Sequence, residues 1–165
     1  RQKGVDESEG KILTFLDADC EPPTDWLRKL ETALKQKGVA AVSGPYDYSL
    51  KGLNRYLDFF YAHFLFKYIN TVLYILFGRK GGQIMGGNFA TTRAAIKKIG
   101  GLPPLTFFGD DAAIAMLIAR KVGKVLFTPK IIVKSSPRRF EKRGLYQTTL
   151  RYAFYYLKAY FGIPK

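Results

Sequence analysis

Lys11 to Leu16, KILTFL, is a short apolar run of β-forming side chains that stops at Asp17-Ala18-Asp19, with Pro22-Pro23 just beyond. A run of this length bounded by turn residues reads as a buried strand, and the prolines forbid its extension. The chain is therefore constrained to carry two carboxylates at the C-terminal tip of a strand. Thr24-Asp25 then offers a helix N-cap, after which Trp26, Leu27, Leu30, Ala33 and Leu34 recur at helical spacing until Gly38, and Val39 to Ser43 forms a second strand. Strand, helix and strand joined by tight connections predict an α/β architecture whose working groups lie at the carboxyl ends of its strands.

Further along, Gly81-Gly82 leads into an extended segment, Gln83–Thr91, then a basic helix through Arg93–Lys98 and the loop GGLPPLTFFGDD. Ala112 to Lys121 is helix-forming and Gly123 ends it; Val125–Thr128 and Ile131–Lys134 read as short strands flanking Pro129. Residues 53–78 and 145–162 differ, being rich in Phe and Tyr. Asp58, His63, Lys67 and Asn70 mark one polar stripe on the first of these segments, and Gln147, Arg151 and Lys158 mark one on the second. Neither segment offers the roughly 18 uninterrupted apolar residues of a membrane span, so both are expected to be amphipathic helices lying on an apolar surface.

At 165 residues the chain is expected to form a single domain. Its polar opening, RQKGVDESEG, has no signal-peptide core, and the chain reads as a fragment. Lys and Arg number 27 against 13 Asp and Glu, a formal charge of +14, which favours anionic partners: nucleic acid, anionic lipid or phosphate-bearing metabolites. The single cysteine, Cys20, has no intramolecular disulfide partner, which points to a reducing compartment such as the cytosol.

Three groups carry chemistry. Asp17 and Asp19, one residue apart, can converge on a hard cation such as Mg²⁺ or Mn²⁺ that keeps waters and also binds phosphate oxygens; the plain alternative is that they fill a turn. Asp110-Asp111 opens a helix. Adjacent like charges raise one carboxyl's pKa and suit it to act as a general base, whereas the structural reading is helix capping. Ser135-Ser136-Pro137-Arg138-Arg139-Phe140 places two guanidinium groups after a strand, where a planar fork can grip a diphosphate or simply face solvent.

The phrase ILTFLDADCEPPTDWL, followed in order by GGNFATTRAAIKKIGG, FFGDDAAIAMLIARKVGKV and SPRRF, resembles the C-terminal two-thirds of family 2 glycosyltransferases of the GT-A fold. The resemblance covers nearly the whole chain and implies one partial catalytic domain over 1–165, truncated at its N-terminus. The implied reaction is inverting, metal-dependent sugar transfer from a nucleotide-diphospho-sugar to a glycan or lipid-linked acceptor, as in cell-envelope polysaccharide synthesis. It implies a metal and diphosphate site at Asp17 and Asp19, with Asp19 the direct ligand. Gly86, Gly87 and Asn88 then belong to the loop lining the donor-sugar and acceptor pocket, Asp111 is the base, Asp110 stands where Glu is usual, and Arg138 and Arg139 contact the diphosphate.

There are departures. Many members carry a further Asp where Ala113 stands, and a metal-contacting His near the strand that here reads IIVKSS, where Lys134-Ser135 stands instead. His63, the only histidine, reads as a stripe residue, and Cys20 and Trp26 as packing residues. The family's strand-rich, base-binding first half is not in this sequence, so the chain is expected to be inactive alone and to expose a sheet edge. With the aromatic helices, the resemblance implies peripheral attachment to the cytoplasmic face of a membrane. The competing reading is a basic, aromatic-rich module that binds nucleic acid or anionic membrane without catalysis. The placement of the aromatics in helices, rather than alternating with basic residues on strands, argues against nucleic acid.

Overall fold

The computed structural model describes residues 1–49, 53–60, 64, 68, 71–72, 75, 82–103, 110–138, 147, 150 and 154. The elements in chain order are α1 (Gln2–Glu7), β1 (Ile12–Leu16), β2 (Cys20–Glu21), α2 (Trp26–Leu34), β3 (Val39–Ser43), β4 (Tyr46–Asp47) and α3 (Leu53–Phe60). They continue with β5 (Asn88–Thr92), α4 (Arg93–Ile99), α5 (Asp110–Lys121), β6 (Lys124–Phe127) and β7 (Val133–Ser135). Helix ends follow the sequence signals. Gly38 at φ +79° closes the turn after α2, and Gly100 at φ +92° caps α4 in the left-handed conformation that costs other residues most.

Four strands form the main sheet in the order β1-β5-β3-β6, with β5 antiparallel to both neighbours and β6 parallel to β3. A smaller sheet, β2-β7-β4, continues the strand ends of the first. The strand–helix–strand expectation for β1-α2-β3 holds for the elements. The two strands are not neighbours, however, because β5 is inserted between them. This matters for the site: the tips of β1, β3 and β6 and the start of β5 all meet at one end of the sheet.

The alternation of a strand separates two cores. On one face Leu13, Phe15, Ala41, Phe89 and Val125 pack against Ile96 and Ile99 of α4 and Ile114, Ala115 and Ile118 of α5, with the Phe15 and Phe89 rings stacked 4.2 Å apart. On the other face Val42 and Ala90 pack against Trp26, Leu30 and Ala33 of α2 and against Ile131 and Val133. Helices thus cover both sides of the sheet, the layered α/β arrangement expected. Among the described residues β1 ends the strand order of the main sheet, and Ile12 and Leu16 are exposed on one of its faces.

Along 53–78 the described side chains of Tyr56, Phe59, Phe60, Phe64, Tyr68, Val72 and Ile75 are exposed, as are Leu150 and Phe154 in 145–162. The polar-stripe side chains of Asp58, His63, Lys67, Asn70, Arg151 and Lys158 lie outside the described residues. Among the described residues no helix is long and apolar enough to cross a membrane.

Candidate active site

The antiparallel register of β1 with β5 pairs Leu16 with Asn88, so the residue after β1 faces the residue before β5. Asp17 donates its backbone N–H to the Gly87 carbonyl at 3.4 Å, and the Cys20 N–H closes a turn on the Asp17 carbonyl at 3.0 Å. Gly87 has no latitude here. A Cβ on it would lie 2.3 Å from Asp17 Cγ and 2.4 Å from its Oδ2, so the carboxyl can occupy its position only because Gly87 lacks a side chain. Gly86 is less tightly constrained: a Cβ there would come within 3.0 and 3.1 Å of the Arg1 guanidinium nitrogens, the far end of a flexible side chain. The groups that lie against these two glycines are the Asp17 carboxyl and the Arg1 guanidinium.

α5 runs back along the sheet so that its N-terminus lies at the same end. Arg1 bridges the two carboxylates that result, with Nη1 on Asp110 Oδ2 at 2.8 Å and Nη2 on Asp17 Oδ1 at 3.2 Å. Asp111 accepts the Ala112 N–H at 2.9 Å and also a hydrogen bond from the Gly86 backbone. Burial, with the neighbouring Asp110 charge adding to it, pushes the Asp111 carboxyl up from 3.8 to about 6. The like-charge argument made from sequence is therefore the lesser cause. Asp110 is paired with Arg1, whereas Asp111, desolvated beside it, titrates at about 6. Asp111 is thus a helix-end acceptor that takes up a proton more readily than an ordinary carboxyl.

Tyr46 completes this wall. Its hydroxyl accepts the Gly87 N–H at 2.7 Å, and burial followed by the Asp17 charge drives its pKa well above the ordinary phenol value. It stays a neutral phenol at any working pH. Asn88 behaves differently from its two glycine neighbours. Its side chain is fully buried, donating to the Pro45 and Ile131 carbonyls at 2.9 and 2.8 Å and accepting the Trp26 indole N–H at 2.9 Å. Asn88 therefore supports the pocket from behind rather than lining it, and Trp26 does more than fill space.

Asp19 is exposed on the turn between β1 and β2, and Cys20, half-buried with its thiol pushed up by burial, pairs with Ser135 of β7. Through that pairing the Ser135–Arg138 segment runs alongside the acidic turn. Arg138 is exposed there, its N–H directed to Ser136 Oγ at 3.4 Å. Arg139 and the Phe107-Phe108-Gly109 segment lie outside the described residues. Arg1 and Tyr46 were not anticipated: an arginine in a polar opening and a tyrosine near an aromatic segment carry no local signal of a site.

Among the described residues no three His, Cys, Asp or Glu side chains gather as a ready-made metal cage. The donor set nevertheless fits Mg²⁺ or Mn²⁺, which are held by one or two carboxylates together with phosphate oxygens and water. That Asp17 already attracts one cation, the Arg1 guanidinium, shows that positive charge is accommodated at this turn.

A layered α/β sheet with an acidic strand tip, a glycine pair beneath it and a second acidic pair opening a helix defines the chain as a GT-A type fold. Residues 1–100 match the model of glycosyl transferase family 2, and the chain belongs to that family. It is 37% identical over 49 residues to the glycosyltransferase AglE of Haloferax volcanii, a match spanning 30% of this chain and 16% of AglE. Its fold is similar to the mannosyltransferase PcManGT of Pyrobaculum calidifontis, solved in complex with GDP-Man and Mn²⁺, with a TM-score of 0.62, 22% identity and coverage of 95% of this chain and 40% of that one. It is also similar to glucosyl-3-phosphoglycerate synthase of Mycobacterium tuberculosis, solved with phosphoglyceric acid, with a TM-score of 0.55, 16% identity and coverage of 99% and 54%. The chain thus spans about half or less of each of these proteins.

Proposed function

We propose that this chain supplies the catalytic end of an inverting, metal-dependent transferase that moves a sugar from a nucleotide-diphospho-sugar to a glycan or lipid-linked acceptor at a membrane. The observation that carries this reading is the bridge through Arg1, which brings Asp17 from one stretch of chain and Asp110-Asp111 from another to a single wall. Family membership and a similar fold solved with GDP-Man and Mn²⁺ support a nucleotide-activated donor and a divalent cation.

In this reaction the acceptor hydroxyl oxygen attacks the anomeric carbon, its proton passes to the Asp111 carboxylate, and the bond to the diphosphate oxygen breaks with its electron pair. One displacement inverts the configuration. A divalent cation at Asp17 and Asp19, when bound, supplies charge that offsets the leaving diphosphate. Arg138 and Arg139 contribute guanidinium contacts to the same diphosphate. A carboxyl at about 6 suits the role of Asp111, because it is ionised at neutral pH yet basic enough to take a proton as the new bond forms. In this proposal the acceptor is presented at the cytoplasmic face of a membrane, a reading supported by the exposed side chains of Tyr56, Phe59, Phe60, Phe64, Tyr68 and Phe154 and by the +14 charge, which draws in anionic lipid.

The test is Asp111→Asn in the full-length protein. Transfer is expected to fall by at least about 100-fold, the scale of a lost general base, while donor binding measured by calorimetry stays within experimental error. Turnover that survives the substitution removes Asp111 as the base.

A further inference from the structure

Arg1 is held in place by more than its ion pairs. Its carbonyl accepts the Val5 N–H of α1 at 3.1 Å, and Gln2 next to it accepts the Leu102 N–H at 2.8 Å, which ties the start of α1 to the segment after α4. The far end of α1 is held by Arg93, whose guanidinium donates to the carbonyls of Val5, Ser8 and Gly10 and to Ser8 Oγ. Val5 itself is buried in the core. The helix that Arg1 leads into is thus anchored at both ends, and the Arg1 guanidinium lies against Gly86.

Three carboxylates, Asp17, Asp110 and Asp111, share this wall, and without a cation between them their repulsion would drive the β1 tip and the start of α5 apart. A guanidinium is suited to this place because its planar fork presents separate N–H groups to two acceptors at once, which an ammonium does not. We propose that Arg1 is a positioning residue for sugar transfer: by joining Asp17 to Asp110 it sets the distance between the diphosphate end of the site and the base Asp111. This rests on the transferase reading given above.

The test is a double-substitution cycle in the full-length protein, using Arg1→Met, Arg1→Lys, Asp110→Asn and the Arg1→Met/Asp110→Asn pair. Two readouts are taken: kcat and donor KM, and the thermal midpoint in metal-free buffer. Arg1→Met is expected to lower kcat by about 10- to 100-fold with donor KM changed less than about 3-fold, the signature of lost alignment rather than lost binding. Arg1→Lys is expected to recover only part of kcat. Asp110→Asn is expected to cost activity and about 2–4 °C in Tm when Arg1 is present, and neither when Arg1 is already Met, because the contact it would remove is then already gone.

Additive effects in both readouts, or full kcat in Arg1→Lys and Arg1→Met, overturn the role of Arg1 while the wild type's transfer leaves the transferase reading intact. Coupling in Tm with a wild type that transfers no sugar overturns the transferase reading, and the positioning role with it.

Discussion

The acidic end of the sheet and the aromatic segment at 53–78 are built on opposite rules. At the sheet end, charged and polar groups are paired: Asp17 and Asp110 share Arg1 near the surface, Tyr46 holds Gly87, and the fully buried Asn88 amide joins Trp26 to two carbonyls. Along the segment, Tyr56, Phe60, Tyr68 and Ile75 stand outward. Burying polar groups costs free energy unless each finds a partner, so the first region tolerates little change, while exposed apolar side chains add little to folding and are free to serve as a contact surface. Substitutions in the two regions are therefore expected to separate chemistry from attachment.

The largest effect is expected from Gly87→Ala. The added methyl would overlap the Asp17 carboxyl, which has to move by more than an ångström, and transfer by the full-length protein should fall by about 100-fold or more. Activity unchanged by this substitution would show that the position of Asp17 does not matter to the reaction.

Asn88→Ala comes next. It leaves the Trp26 N–H and the Pro45 and Ile131 carbonyls without their buried partner and should cost about 2–4 kcal/mol in urea unfolding. A loss below about 1 kcal/mol would mean that water replaces the amide.

Asp111→Asn tests the electrostatics. The folded pKa of about 6 lies above the ordinary 3.8, so the wild type's favourable term is full below about pH 4 and is lost as pH rises through 6. The neutral variant should accordingly be more stable than the wild type at pH 7.5, by about 2 kcal/mol after allowance for partial solvent screening, and lose that advantage by pH 4. A stability difference that does not vary with pH would contradict burial as the cause. In activity, kcat/KM of the wild type should rise through about pH 6.

The smallest effect on folding is expected on the aromatic face. Tyr56→Ser with Tyr68→Ser, both side chains largely exposed, should change stability by no more than about 0.5 kcal/mol. It should nevertheless reduce flotation of the full-length protein with anionic liposomes. Flotation equal to that of the wild type would break the contrast between the two regions at its weaker side.

Much of the fold was legible because its signals are local. The apolar run before Asp17, the helical spacing of Trp26, Leu30 and Ala33, and the glycines at 38 and 100 each specify an element or an end within a few residues. β2, β4 and α1 were not legible, since two-residue strands have no periodicity and the α1 helix has six residues, one of them Gly4. At the site, the acids were found from their place in the chain, but the like-charge cause proposed for Asp111 was secondary to burial, which no sequence window reveals. Asn88 was placed in the pocket lining by its neighbours Gly86 and Gly87, whereas the register that pairs it with Leu16 leaves it wholly buried among Trp26, Pro45 and Ile131.

What the sequence alone determined is the longer strands and helices and the arrival of carboxylates at a strand tip and a helix start, because propensity, capping and proline act over a few residues. What only the tertiary structure decided is the insertion of β5 between β1 and β3, the inward turn of Asn88 and the bridge from Arg1 to Asp17 and Asp110. Those depend on register and on contacts between residues as much as 109 positions apart. Side-chain parity flips with a one-residue shift of a strand, and an ion pair at that separation exists only once the layers have packed.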